Sequence, residues 1–105
     1  MDQQEKAKVV AFAKERFRGL GDYDFLPSMD LDAMIDAFVS MDAEYMREAG
    51  VDQGGVYDDE AAFDRLFAGM KERFNQYQMY LMRMTEDYMD IFEEYLDSID
   101  AIEWV

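Results

Sequence analysis

Eight apolar residues near the end of the chain constrain its fold most. Leu81, Met84, Tyr88, Ile91, Phe92, Tyr95, Ile99 and Ile102 recur at steps of mostly three and four. Wound at 3.6 residues per turn, they fill one arc of about 100°, the width of a core-facing helical stripe. No stretch of useful length alternates with the period of two that a strand needs. The chain must therefore bury helices against helices.

Three further segments carry the same signal, separated by glycines. The first runs from about Gln3 to Arg18 and ends at Gly19-Leu20-Gly21, with Val9, Phe12, Ala13, Phe17 and Leu20 on one face. Pro27 and Ser28 announce the second, with Ser28 or Asp30 expected as N-cap. It continues to Ala49 and stops at Gly50, carrying Leu31, Met34, Ile35, Phe38, Met41, Tyr45 and Met46. Gly54-Gly55 marks a loop, after which Asp58 or Asp59 caps the third, with Phe63, Leu66, Phe67, Met70 and Phe74 on one face. Gly69 weakens this helix by ~1 kcal/mol relative to Ala and permits close packing. The last helix is expected from about Asn75 to Asp100, and no Gly or Pro separates it from the third. The expectation is an all-α bundle of three to four helices in one domain, residues 1–105, with the long C-terminal helix as its spine.

Charge constrains function more than fold. The 105 residues hold 25 Asp and Glu against 10 Lys and Arg, a formal net charge of −15, with half the residues apolar. That apolar share supports a core despite the self-repulsion. Residues 1–18 are net +2, residues 19–64 net −12, and residues 65–105 net −5, with no base after Arg83. Without His or Cys, thiol chemistry, most catalytic triads and the usual zinc or iron–sulfur ligand sets are excluded. No cofactor or metal is expected, and no enzymatic activity. The absence of Cys fits a reducing compartment, so the cytoplasm is the expected location. No apolar run reaches the ~18–20 residues of a membrane span, and Met1 to Lys6 contain no apolar signal core. An acidic surface is also repelled by anionic lipids and by nucleic acid, so neither is an expected partner.

Other motifs fail on inspection. Asp52 to Glu60 does not match a calcium loop, because Gly54 and Val56 stand where oxygen ligands belong. The loop from Asp22 and Asp24 fails at Pro27 and Ala33, and Gly54-Gly55 lacks the Lys and Ser/Thr of a phosphate loop. A di-iron bundle needs Glu-x-x-His.

Three constellations remain. Asp87, Asp90, Glu93, Glu94, Asp97, Asp100 and Glu103 lie opposite the apolar stripe of the last helix. Seven carboxylates over sixteen rises give one charge per roughly 3.5–4 Å of axis, close to the 3.4 Å of one DNA strand. No base is interleaved at i+4 to support the helix. A merely solvated face is the plainer alternative. Second, Met82, Met89 and Leu96 recur every seven residues, either under another helix or as a contact surface. Third, Asp42 and Arg16 interrupt the apolar stripes of their helices, and are expected to form a structural ion pair between them.

In charge pattern the chain resembles the small acidic nucleic-acid mimics of phages and mobile elements, anti-restriction and anti-CRISPR proteins among them. The resemblance rests on the acid track at 87–103 and on Asp30, Asp32, Asp36, Glu44 and Glu48 of the second helix, and includes no signature motif. It implies a non-enzymatic inhibitor that occupies the basic nucleic-acid-binding groove of a protein such as a nuclease. Lys6, Lys8, Lys14, Arg16 and Arg18 depart from a uniformly acidic mimic and are available to pair with the acidic helices. The alternative is a helical adaptor or self-associating homo-oligomer that uses apolar surfaces, Met82/Met89/Leu96 or the tail Ile102-Glu103-Trp104-Val105.

Overall fold

The computed structural model describes residues 2–99. Four helices make the bundle: α1 (Gln3–Leu20), α2 (Ser28–Ala49), α3 (Asp59–Arg73) and α4 (Leu81–Ser98). Single 3-10 segments precede α3 (Val51–Gln53) and α4 (Asn75–Tyr80). No strand occurs among the described residues.

The ends follow local chemistry. The Asp2 carboxylate accepts the Glu5 amide at 2.8 Å to start α1, and Asp58 accepts those of Glu60 and Ala61 to start α3. Gly21 and Gly50 close α1 and α2 in the left-handed region, at φ 73° and 68°. The start of α2 differs from expectation. Neither Ser28 nor Asp30 caps it; Ser28 is already helical, and the Pro27 carbonyl accepts from the Leu31 amide at 3.0 Å. Proline fixes the backbone φ at this N-cap position, and its side chain carries no acceptor for the amides that follow.

The third and fourth helices are separate, although neither Gly nor Pro divides them. Phe74 leaves the helical region at φ −129°, ψ 49°, and Tyr77 sits at φ −108°, ψ 20°. Both rings are half-buried against the core, and the Tyr77 hydroxyl donates to Asp30 at the start of α2. Tertiary packing, not backbone propensity, makes this break.

Each of α1 and α3 packs on both α2 and α4, which places α1 and α3 at opposite corners of the bundle. The molecule measures 41 × 25 × 23 Å. Its centre is aromatic: Phe38 and Tyr88 stack at 5.0 Å, and Tyr88 stacks on Phe92 at 6.1 Å. Met34, Ile35, Leu66, Met70, Leu81 and Met84 are fully buried around them. Gly69 serves the close approach expected of it. A Cβ there would run into the sulfur of Met41 on α2.

Candidate protein-binding face

The basic first helix neutralises its neighbours. Arg18 bridges Asp32 at 2.9 Å, Lys14 approaches Asp36 at 3.9 Å, and Arg16 bridges Glu94 of α4 at 2.9 Å. From α3, Arg65 bridges Glu48 and lies 3.8 Å from Glu44. Asp30 accepts the Tyr77 hydroxyl. All five acids of the second helix named in the charge pattern are thus committed inside the molecule. Exposed pairs of this kind are worth about 0–1 kcal/mol each, so they matter for local charge more than for stability.

The track on α4 divides in the same way. Glu94 faces Arg16, and Asp87 accepts the Tyr23 hydroxyl at 2.6 Å with Arg83 at 4.0 Å. Burial, and then donation to Asp87, push the Tyr23 hydroxyl above the ordinary tyrosine range. Asp100 and Glu103 lie outside the described residues, as do Ile102, Trp104 and Val105. Asp90, Glu93 and Asp97 remain exposed without an ion pair among the described residues, and Glu86, absent from the sequence expectation, joins them. Steps of four, three and four put these carboxylates in one narrow row. The row spans eleven rises, about 16 Å, with charges about 5–6 Å apart. That is sparser than the density inferred for seven carboxylates: Asp87 and Glu94 have partners within the molecule, and Asp100 and Glu103 lie outside the described residues.

The row costs stability. Three like-charge contacts at i+3 or i+4 oppose folding by about 0.2–0.5 kcal/mol each, and Asp97 stands at the negative end of α4 with no base in the last turn. The quadruple variant Glu86→Gln/Asp90→Asn/Glu93→Gln/Asp97→Asn is therefore expected to be more stable than the parent by about 1 kcal/mol. Urea unfolding midpoints at low salt measure this, and high salt should narrow the gap.

Beside the row lies a groove of about 490 Å³ between the N-terminal part of α3 and α4. Tyr57, Phe63, Met89, Phe92 and Leu96 line it with apolar surface. Carboxylates of Asp59 and Glu60 from one side, and Glu86, Asp90 and Glu93 from the other, complete its walls. The seven-residue stripe of the sequence splits here. Met89 and Leu96 are half-buried in the groove, whereas Met82 is 55% exposed near the start of α4. The same end of the bundle exposes Phe25, its ring tilted against that of Tyr80 at 4.7 Å, and Met79, at 89% exposure.

Under the groove, the structure corrects the expected Arg16–Asp42 pair. Asp42 is completely buried, and it accepts the hydroxyls of Tyr57 at 2.7 Å and Tyr88 at 2.8 Å. Arg16 instead runs outward over the Phe12 ring, 4.8 Å from its centroid, to Glu94. The reason is solvation. A guanidinium drawn inside would lose its water, whereas two tyrosines bring donors on apolar rings that the core accommodates readily. Burial holds the Asp42 carboxyl above its ordinary value, and the two hydroxyls pull it back down. Burial and then the Asp42 charge drive both hydroxyls far above the ordinary tyrosine range. Tyr57 lies in a segment that failed as a calcium loop, and Tyr88 reads as one more apolar position. The available signal was the tyrosine itself, whose buried hydroxyl needs a partner.

Among the described residues no three carboxylates converge to hold a metal ion, and no helix is long and apolar enough to cross a membrane. Comparison with protein-family models, curated proteins and solved structures yields no match.

Proposed function

We propose that this chain is a non-enzymatic binding protein of the cytoplasm, which docks its α3–α4 face on the cationic surface of a nucleic-acid-binding protein and thereby inhibits it. The observation that carries this function is the uncompensated row Glu86, Asp90, Glu93 and Asp97. Lys14, Arg16, Arg18, Arg47, Arg65 and Arg83 bridge acids elsewhere in the molecule, yet no basic residue reaches this row among the described residues. A row that opposes folding and remains unpaired is suited to a cation supplied from outside. The part of the charge pattern left unpaired, Asp90, Glu93 and Asp97 with Glu86, supports a partner whose own ligand is a polyanion, such as a nuclease.

Electrostatic docking makes association fast and strongly salt-dependent. Immobilised protein should retain nucleic-acid-binding proteins from its host's lysate at about 50 mM salt and release them near 500 mM, where the screening length is only a few ångströms. A duplex oligonucleotide should release the same proteins at low salt, because it competes for the same groove. Retention that ignores both salt and oligonucleotide would rule this function out.

The exposed apolar cluster of Phe25, Met79 and Tyr80 favours a second function, self-association or an adaptor contact at the opposite kind of surface. Light scattering after size exclusion decides it. A dimer dispersed by Phe25→Ser/Met79→Ser supports self-association, and a monomer at all concentrations rejects it.

A further inference from the structure

We infer that the groove between α3 and α4 seats an amphipathic cationic α-helix of the partner, apolar side chains on its floor and Lys or Arg on its acidic walls. The inference rests on the reading of this face as the partner-binding surface and adds the chemistry of what enters it. Carboxylates alone would call only for positive charge. The floor calls for more, because Phe63, Met89 and Leu96 offer apolar surface that a polar cationic strand or loop would leave wet. The side chains of the walls offer acceptors and, apart from the Tyr57 hydroxyl already given to Asp42, no donor. A neutral polar ligand gains only ordinary hydrogen bonds from these carboxylates, while an ammonium or guanidinium also offsets their charge.

Spacing selects the form of the occupant. The carboxylates of α4 recur about every 5–6 Å, which is the ~5.4 Å pitch of an α-helix. A helix lying alongside presents side chains at i, i+4 and i+7 at the same interval. Its cations then meet Glu86, Asp90 and Glu93 in turn while its apolar stripe faces the floor. An extended chain repeats near 6.6–6.8 Å on one face and falls out of step. The thioether of Met89 adjusts to side chains of differing shape.

The test uses the intact protein and two synthetic peptides of about 15 residues. One places Leu at helical i, i+3, i+4 and i+7 positions between Lys and Arg; the other shuffles the same residues so that no face is apolar. Fluorescence anisotropy is read at about 50 mM salt. The amphipathic peptide should bind at least about tenfold more tightly than the shuffled one. Phe63→Ala/Leu96→Ala should remove that preference and leave binding of the shuffled peptide unchanged. Equal binding of the two peptides by the parent protein overturns the groove proposal and leaves the acidic face standing. Failure of both peptides to bind overturns both. Since the peptide comparison is made on the parent protein, it holds even where the double variant folds poorly.

Discussion

Tyr57→Phe/Tyr88→Phe is expected to lose about 3–5 kcal/mol of folding stability at neutral pH, the scale set by stripping partners from a buried charge. Each hydroxyl bond to a charged acceptor contributes about 1.5–3 kcal/mol, and removing both leaves Asp42 without a donor among the described residues. A domain of this size has about 5–15 kcal/mol in all, so the variant should be close to unfolding at 37 °C. The loss should shrink in mild acid. The folded Asp42 carboxyl already stands above its ordinary value because it is buried. A carboxyl raised in this way binds its proton more tightly folded than unfolded. Its contribution to stability is complete below the unfolded value near 4 and is lost as pH rises through the folded value. The parent should thus gain stability as pH falls through that window, the double variant should gain more, and Asp42→Asn should lose this part of the dependence. Adding Asp42→Leu to the double variant should restore most of the loss at neutral pH, because an apolar group then replaces the stranded charge. Chemical denaturation across pH measures all four proteins. A double variant within about 0.5 kcal/mol of the parent would show that the hydroxyls do not sustain Asp42.

In alkali the parent is expected to unfold in one steep step beginning near pH 10. Tyr23, Tyr57 and Tyr88 all have hydroxyls raised above the ordinary tyrosine value, chiefly by burial. A group raised in the folded state holds its full contribution below the unfolded value, here about 10, and loses it as pH climbs toward the folded one. Each such tyrosine removes up to about 1.4 kcal/mol per pH unit in that range, so three remove about 4. Most of the stability of a domain this size is then gone by about pH 12. Tyrosinate absorbance and helical circular dichroism should change together, and Tyr88→Phe should make the step shallower by about a third. Tyrosinate forming gradually while helicity persists to pH 12 would contradict the burial of these hydroxyls.

The helices were legible because their apolar spacing and glycine stops are local signals, as at Gly21 and Gly50. The break at Phe74 was not, because it depends on Tyr77 reaching Asp30 across forty-seven positions of sequence. The acidic character of α4 was legible, but not which acids stay unpaired. Asp87 and Glu94 look equivalent to Asp90 and Glu93 on a helical wheel, and only the placement of Tyr23 and Arg16 separates them. Asp59 and Glu60 join the site from a different helix, which no spacing within α4 reveals. Asp42 was recognised as misplaced. Its partners are not legible, because Tyr57 and Tyr88 carry no charge to mark them and their apolar rings read as core.

The acidic groove lies on the α3–α4 side of the bundle, across from the α1–α2 side where Lys14 and Arg18 pair with Asp36 and Asp32, and that lopsidedness acts before any contact is made. In the field of a cationic partner the molecule experiences a torque as well as an attraction. It turns its α3–α4 side forward and trails the α1–α2 side behind. Fewer encounters are then wasted on wrong orientations, the usual reason protein association falls far below the diffusion limit. The unpaired row of α4, set against the paired charges of the α1–α2 side, thus acts at a distance as a rudder, setting which way the molecule arrives.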